Sequence, residues 1–192
     1  TTFFRLLKGE LRGSGTITGS PEFVSFPFEI SDPYLLGGDV IREIAPNAED
    51  WQVRRGMNYL ELDSDILYQP YCLLSGGEKT KLQLISLFLD EYRFPLIDEP
   101  TNHLDEHGRK ITAAYLKRKS GFILVSHDRT FLDEATDHTM AINRTNIEVS
   151  ATNFSTWWDE MKRREKFEES QNDRLKKEIS RLRSARNANP PA

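Results

Sequence analysis

At 192 residues, 38% of them hydrophobic and 29% charged, the chain has material for one domain, or one domain with an appendage. No apolar run approaches the roughly 18 residues that cross a bilayer, so a membrane role would need a partner chain. No secretory leader is visible, and the single cysteine, Cys72, excludes an internal disulfide, which agrees with a reducing, cytoplasmic setting. The net charge of −4 is unevenly spread: ten Lys/Arg stand against seven Asp/Glu between 159 and 186. A basic extension on an acidic body hints at an anionic partner, although mixed charge also suits an ordinary solvated helix.

In chain order, Phe3, Phe4, Leu6 and Leu7 predict a short helix stopped by Gly9. Residues 12–19 are rich in glycine but carry no lysine and lead into no helix, so they read as a turn rather than a phosphate loop. Phe23-Val24-Ser25-Phe26 predicts a strand closed by Pro27. From Ser31 to Tyr71 there is no strand alternation, only Pro and Gly punctuation and short amphipathic pieces, which predicts a small inserted helical subdomain. Gly76-Gly77 then opens a helix expected from Glu78 to about Leu89, with Leu82, Ile85 and Leu89 on one face.

Strands are expected at 94–98 and 122–126, helices at 106–119 and 129–135, and two further strands near 138–143 and 146–150. That alternation predicts an α/β domain with a mostly parallel sheet, in which ligands sit at the carboxyl ends of the strands. After 153 the pattern changes. Thr152-Asn153 can cap a long helix on which Phe154, Trp157, Trp158 and Met161 share a face, and Leu175, Ile179 and Leu182 continue a thin apolar seam until Pro190-Pro191. A thin seam among charges suits one arm of an antiparallel helical pair.

Three stretches carry chemistry. Asp98-Glu99 ends a strand in two acids: Asp98 can orient a Mg²⁺ and Glu99 can polarise an attacking water. His127 ends the neighbouring strand, where it can reach a terminal phosphate and position that water. Ser75 with the amides of Gly76 and Gly77 forms a donor cluster at a helix start, suited to phosphate oxygens. A helix cap, a surface turn and a structural histidine are the bland readings of each; all three in this order favour a nucleotide site. His103, His107 and His138 lack metal-ligand spacing, which argues against zinc.

With those residues in view, the chain resembles the nucleotide-binding domain of ATP-binding-cassette proteins. Leu74-Ser75-Gly76-Gly77-Glu78 matches the family signature, Leu96 to Glu99 the Walker B strand with its catalytic glutamate, Leu104-Asp105 the D-loop and Ser126-His127 the switch histidine. The match through Glu99-Pro100-Thr101-Asn102-His103-Leu104-Asp105 resembles the ABC-F branch, whose members lack membrane domains, act on the ribosome and join two cassettes by a charged helical linker. Thr1-Thr2-Phe3-Phe4-Arg5-Leu6-Leu7 is similar to the tail of a phosphate loop, so the resemblance makes Thr1 the Mg²⁺-facing hydroxyl and puts the loop's glycines and lysine upstream of it. Phe28 stands where the family usually places a glutamine.

The resemblance implies a partial P-loop NTPase (ABC-type) domain over residues 1–150, with its helical subdomain at about 31–90, and the start of the linker over 151–192. It implies ATP and Mg²⁺ as ligands, with Glu99 and His127 catalytic, Asp98 and Thr1 at the metal, and Ser75, Gly76, Gly77, Glu78 and Asp105 toward nucleotide. Partners expected are a second cassette and ribosomal RNA or tRNA through the basic helix, with no direct membrane insertion. Because each ATP lies between the Walker B side of one cassette and the signature of another, these 192 residues alone are expected to bind ATP weakly and to be inactive. Phe28 and the aromatic start of the linker favour the ribosome-protection, antibiotic-resistance subgroup; the rival expectation is the energising subunit of a membrane transporter.

Overall fold

The computed structural model describes residues 2–14, 17–19, 21–90, 92–143 and 145–188. Thr1, the Gly15-Thr16 part of the glycine-rich turn, the Leu182 side chain and Pro190-Pro191 lie outside the described residues. The chain divides into two compact units, 1–136 and 137–192.

In the first unit, β1 (Glu22–Phe26), β2 (Arg93–Asp98) and β3 (Ile123–Val125) form a parallel sheet in the order β1-β2-β3. Leu96 and Ile97 of the middle strand are fully buried, as expected where helices cover both faces of a parallel sheet. Phe26 pairs with Ile97 and Asp98 with Val125, so the carboxyl ends of all three strands meet along one edge. The helices of this unit are α1 (Thr2–Leu7), α2 (Gly37–Ile44), α3 (Asp50–Tyr59), α4 (Gly76–Leu89), α5 (Glu106–Leu116) and α6 (Arg129–Ala135).

The segment expected as a helical insertion is α2, α3 and two 3-10 turns, Ser64–Tyr68 and Tyr71–Leu73, closed by a bridge between Leu36 and Pro70. Its core partner is α4, where Leu82, Leu84, Ile85 and Leu87 are all fully buried. Burial of each such side chain stabilises the fold by about 1.5–3 kcal/mol. Gly56 of α3 makes the close approach possible, because a Cβ there would stand 3.0 Å from Cγ2 of Ile85.

The sequence places the start of α4 at Glu78; the helix begins two residues earlier, at Gly76. Ser75 is extended (φ −62°, ψ 160°) and serves as its cap. The Glu78 amide donates to Ser75 Oγ at 3.3 Å, and the Ser75 amide donates to the Glu78 carboxylate at 2.7 Å. This reciprocal pair satisfies two amides that the first turn cannot satisfy internally.

One polar residue interrupts the buried run of α4. Gln83 is 6% exposed, and its amide clasps the loop after β1. Its Oε1 accepts from the Phe28 amide at 3.3 Å, and its Nε2 donates to the Phe28 carbonyl at 3.1 Å and to the Tyr71 hydroxyl at 2.9 Å.

The second unit holds the hairpin β4 (Thr139–Ile142) and β5 (Ile147–Ser150), followed by α7 (Phe154–Ala188). Asn153 caps α7 through the Thr156 amide at 3.1 Å. The rings of Phe154, Trp157 and Trp158 lie 5.9–6.2 Å apart at its start, so the aromatic cluster packs on itself. Arg164 pairs with Glu148 of β5 at 2.9 Å. Beyond that point Phe167, Leu175 and Ile179 are 65%, 54% and 49% exposed, a seam left open along a charged helix. Among the described residues no helix is long and apolar enough to cross a membrane.

Two substitutions test this account by chemical denaturation. Ile85→Ala is expected to lower the unfolding free energy by about 2–5 kcal/mol, since the α3–α4 contact cannot collapse onto the missing side chain. Gln83→Leu keeps the volume but strands the Phe28 amide and carbonyl, and is expected to cost about 1–3 kcal/mol. Unchanged midpoints would contradict the packing described.

Candidate functional site

The carboxyl edge of the sheet opens into a cleft of about 390 Å³. Asp98 and Glu99 line it together with Gly76, Lys79, Thr80 and Gln83 of α4, Asn102-His103, Tyr71, and Phe26-Pro27 at the end of β1. The strand register does the positioning: Asp98 is the last residue of β2, and the Glu99 amide donates to the Val125 carbonyl at 2.8 Å.

Glu99 sits at φ +50°, a left-handed conformation that side chains other than glycine rarely adopt. Strain of this kind costs on the order of 1–3 kcal/mol and persists where the surroundings enforce it. Here it follows a strand directly with a turn and aims the carboxylate inward. Ser126 Oγ donates to Glu99 Oε2 at 3.4 Å, while Oε1 is buried without a hydrogen-bond partner. His127 Nε2 stands 3.6 Å from Oε1, outside hydrogen-bond distance but within ion-pair reach when the imidazole is protonated. The His127 side chain is 98% exposed, so it projects into solvent beside Glu99.

The signature glycines meet the stretch after β2. A Cβ on Gly76 would stand 3.0 Å from Cβ of His103, and one on Gly77 would stand 3.2 Å from the His103 carbonyl oxygen. A side chain at either position would therefore press on the His103 stretch, which would have to give by a few tenths of an ångström, quite apart from any ligand. Ser75 and Glu78 are engaged in the capping box described above. Asp105 caps α5, accepting from the Gly108 amide at 2.7 Å. Arg109 then ties this stretch to the turn after β3: it donates to the Leu104 carbonyl at 3.1 Å and pairs with Asp128 at 3.4 Å. Asp128 in turn caps α6 through the Phe131 amide.

Of the residues singled out from sequence, Asp98, Glu99 and Gly76 line the cleft, and His127 stands at Glu99. Ser75, Gly77, Glu78 and Asp105 are not among the residues lining it, and Thr1 is outside the described residues. Sequence reasoning missed Gln83, Lys79 and Tyr71. Gln83 had a visible signal, a polar side chain inside an otherwise apolar helical run. Phe28 is half-buried against the hydrophobic core, and a side-chain amide reaches the cleft from Gln83 of α4. Burial pushes the Tyr71 hydroxyl above its ordinary range, offset in part by the Gln83 hydrogen bond.

The donor set fits one end of a magnesium nucleotide. A strand-terminal carboxylate beside a second carboxylate with an unsatisfied buried oxygen suits an ion-bound or attacking water. No group of three His, Cys, Asp or Glu able to hold a metal is found among the described residues.

No family model matches the chain. It is 33% identical over 158 residues to the ribosome protection protein VmlR of Bacillus subtilis, covering 77% of this chain and 28% of that protein. It is 32% identical to the energy-dependent translational throttle protein EttA of Mycobacterium tuberculosis, covering 58% of this chain and 20% of that one. It is 26% identical to ABC transporter F family member 5 of Arabidopsis thaliana, covering 78% and 22%. The chain thus spans less than a third of the length of these curated relatives. Among solved structures it is similar to an RNase-L Inhibitor (TM-score 0.58, 19% identity, covering 79% of this chain and 35% of that one), a likeness of fold. The homologues of this chain are ABC-F proteins, and its fold is that of the ATP-binding-cassette ATPases.

Proposed function

We propose that this chain is part of a cytoplasmic ABC-F ATPase that acts on the ribosome, in the ribosome-protection branch. The observation that carries the proposal is Glu99: a carboxylate next to a strand-terminal Asp98, held at φ +50°, lining the cleft with one buried oxygen unsatisfied. Residues 1–150 serve as the cassette and residues 151–192 begin the linker to a second cassette.

Bound Mg²⁺–ATP supplies the γ-phosphoryl electrophile and neutralises its charge. Asp98, at the end of β2, would hold the metal side of the site. Glu99 accepts the proton of the attacking water through Oε1, the oxygen left without a partner, while Ser126 keeps Oε2 oriented. His127, exposed at the rim, swings over Glu99 to hold that water in line once the cleft is covered. Ser75 to Glu78 face the nucleotide of the partner cassette, presenting a helix start whose partial positive charge favours phosphate oxygens. Asp105, by capping α5, and Arg109, by bridging to Asp128, transmit the state of one site to the cassette interface.

ATP then closes two cassettes on each other and hydrolysis releases them. The basic helix α7, with its open apolar seam, pairs with a second linker helix and reaches ribosomal RNA or tRNA. Similarity to a ribosome protection protein and a translational throttle protein supports this direction.

In the full-length protein, Glu99→Gln is expected to lower ATP turnover by about 10²–10⁴-fold, the usual worth of a positioned general base. ATP affinity, measured by filter binding, should stay within a few-fold of the parent. Turnover that survives the substitution would remove Glu99 from the chemistry and this reading with it.

A further inference from the structure

A second cavity, of about 450 Å³, lies away from the cleft, between α3 and the C-terminal end of α5. Its volume falls in the range of small-ligand sites, about 300–1,000 Å³. Arg55, Arg118 and Lys119 line it with the rings of Trp51, Tyr59, Phe88 and Tyr115, and no carboxylate contributes to the lining.

The cations are arranged on ring faces. The Arg118 guanidinium lies 4.7 Å from the Tyr59 ring centre and that of Arg55 lies 5.6 Å from it. Lys119 Nζ is 4.7 Å from the Tyr115 ring and 5.3 Å from the Phe88 ring. None of the three has a salt-bridge partner among the described residues. The C-terminal end of α5 carries about half a negative charge, which offsets only part of three positive ones. Burial, together with the neighbouring Arg55, holds the Lys119 ammonium below its ordinary range, as expected for a cation lacking its counter-charge. At the rim the Trp51 ring is 56% exposed, and its indole N–H donates to the Glu49 carboxylate.

Three cations with no carboxylate partner among the described residues, Arg55 hydrogen-bonded only to the Tyr59 hydroxyl, stand beside an exposed aromatic ring and match a ligand that joins an anionic group to a flat ring. We propose that this cavity binds an unpaired nucleotide of RNA, its phosphate against Arg55, Arg118 and Lys119 and its base on Trp51. Base–aromatic stacking tolerates any base, and guanidinium groups match phosphate in geometry as well as charge. The site is argued from its own charges and rings and requires neither the ATP chemistry nor the basic helix. It would give the cassette body a contact with RNA separate from α7.

The test uses the full-length protein with a fluorescein-labelled single-stranded RNA of about ten nucleotides carrying 4-thiouridine, a length within known single-strand site sizes. Binding is followed by anisotropy across a salt series, and the site is mapped by ultraviolet cross-linking. Cross-links are expected at Trp51 or Tyr59. Arg118→Gln, an exposed substitution that leaves the fold intact, should weaken binding and reduce the slope of log affinity against log salt by about 0.7. Arg55→Gln should add a similar step, and Trp51→Ala should weaken binding without changing the slope. Cross-links confined to α7 with no effect of these variants would overturn the proposal while leaving a role on the ribosome standing. Saturation of the same site by free nucleoside monophosphate as readily as by RNA, or binding of these residues to phosphatidylglycerol vesicles in place of RNA, would also overturn it.

Discussion

Everything at the cleft depends on one backbone hydrogen bond, from the Glu99 amide to the Val125 carbonyl. Parallel pairing carries β2 as far as Asp98 opposite Val125, and this bond extends the pairing by one residue, past the point where the chain must turn. The left-handed backbone of Glu99 is the consequence: the amide stays in the sheet while the carboxylate leaves it. A relaxed strand would alternate its side chains and send consecutive carboxylates to opposite faces. The turn at Glu99 is what lets Asp98 and Glu99 line one cleft. Ser126, one residue beyond Val125, then meets the carboxylate from the neighbouring strand.

The surrounding elements are held to that edge by polar clasps rather than by apolar packing alone. Gln83 ties the loop after β1 to α4, and Arg109 ties the Leu104 stretch to the cap of α6. The close approach of Gly76 and Gly77 to His103 joins the start of α4 to the stretch after β2. The start of α4 is thus in contact with His103 within the same chain, and Leu104, Arg109 and Asp128 continue that chain of contacts to the turn bearing His127.

Much of this was legible in the sequence because its parts are local. Asp98-Glu99 and Ser126-His127 each end a short apolar run, and parallel pairing of those runs suffices to bring them together. The Ser75-to-Glu78 spacing is that of a capping box, yet the capped start at Gly76 was missed by two residues because two glycines depress any helical reading. The Gln83 clasp was not legible, since it spans 55 positions and depends on where the loop after β1 passes α4. The same distance hid the packing of Phe28, a half-buried ring against the core whose backbone is gripped by Gln83. The basic-aromatic cavity was hidden for a related reason: Arg55 and Tyr59 lie on one helix and Arg118 and Lys119 end another, and nothing in either segment announces the other.

The central claim, that this cleft drives an ATP-dependent grip on the ribosome, is tested most directly by co-sedimentation of the full-length protein with ribosomes. The protein would carry Glu99→Gln and the equivalent change in its second cassette, so that ATP closes the cassettes without release. Pelleting with ribosomes only when ATP is present, and weakening as salt is raised, is the predicted result. Equal recovery with and without ATP, or recovery with membranes in place of ribosomes, would contradict the account and favour a transporter subunit.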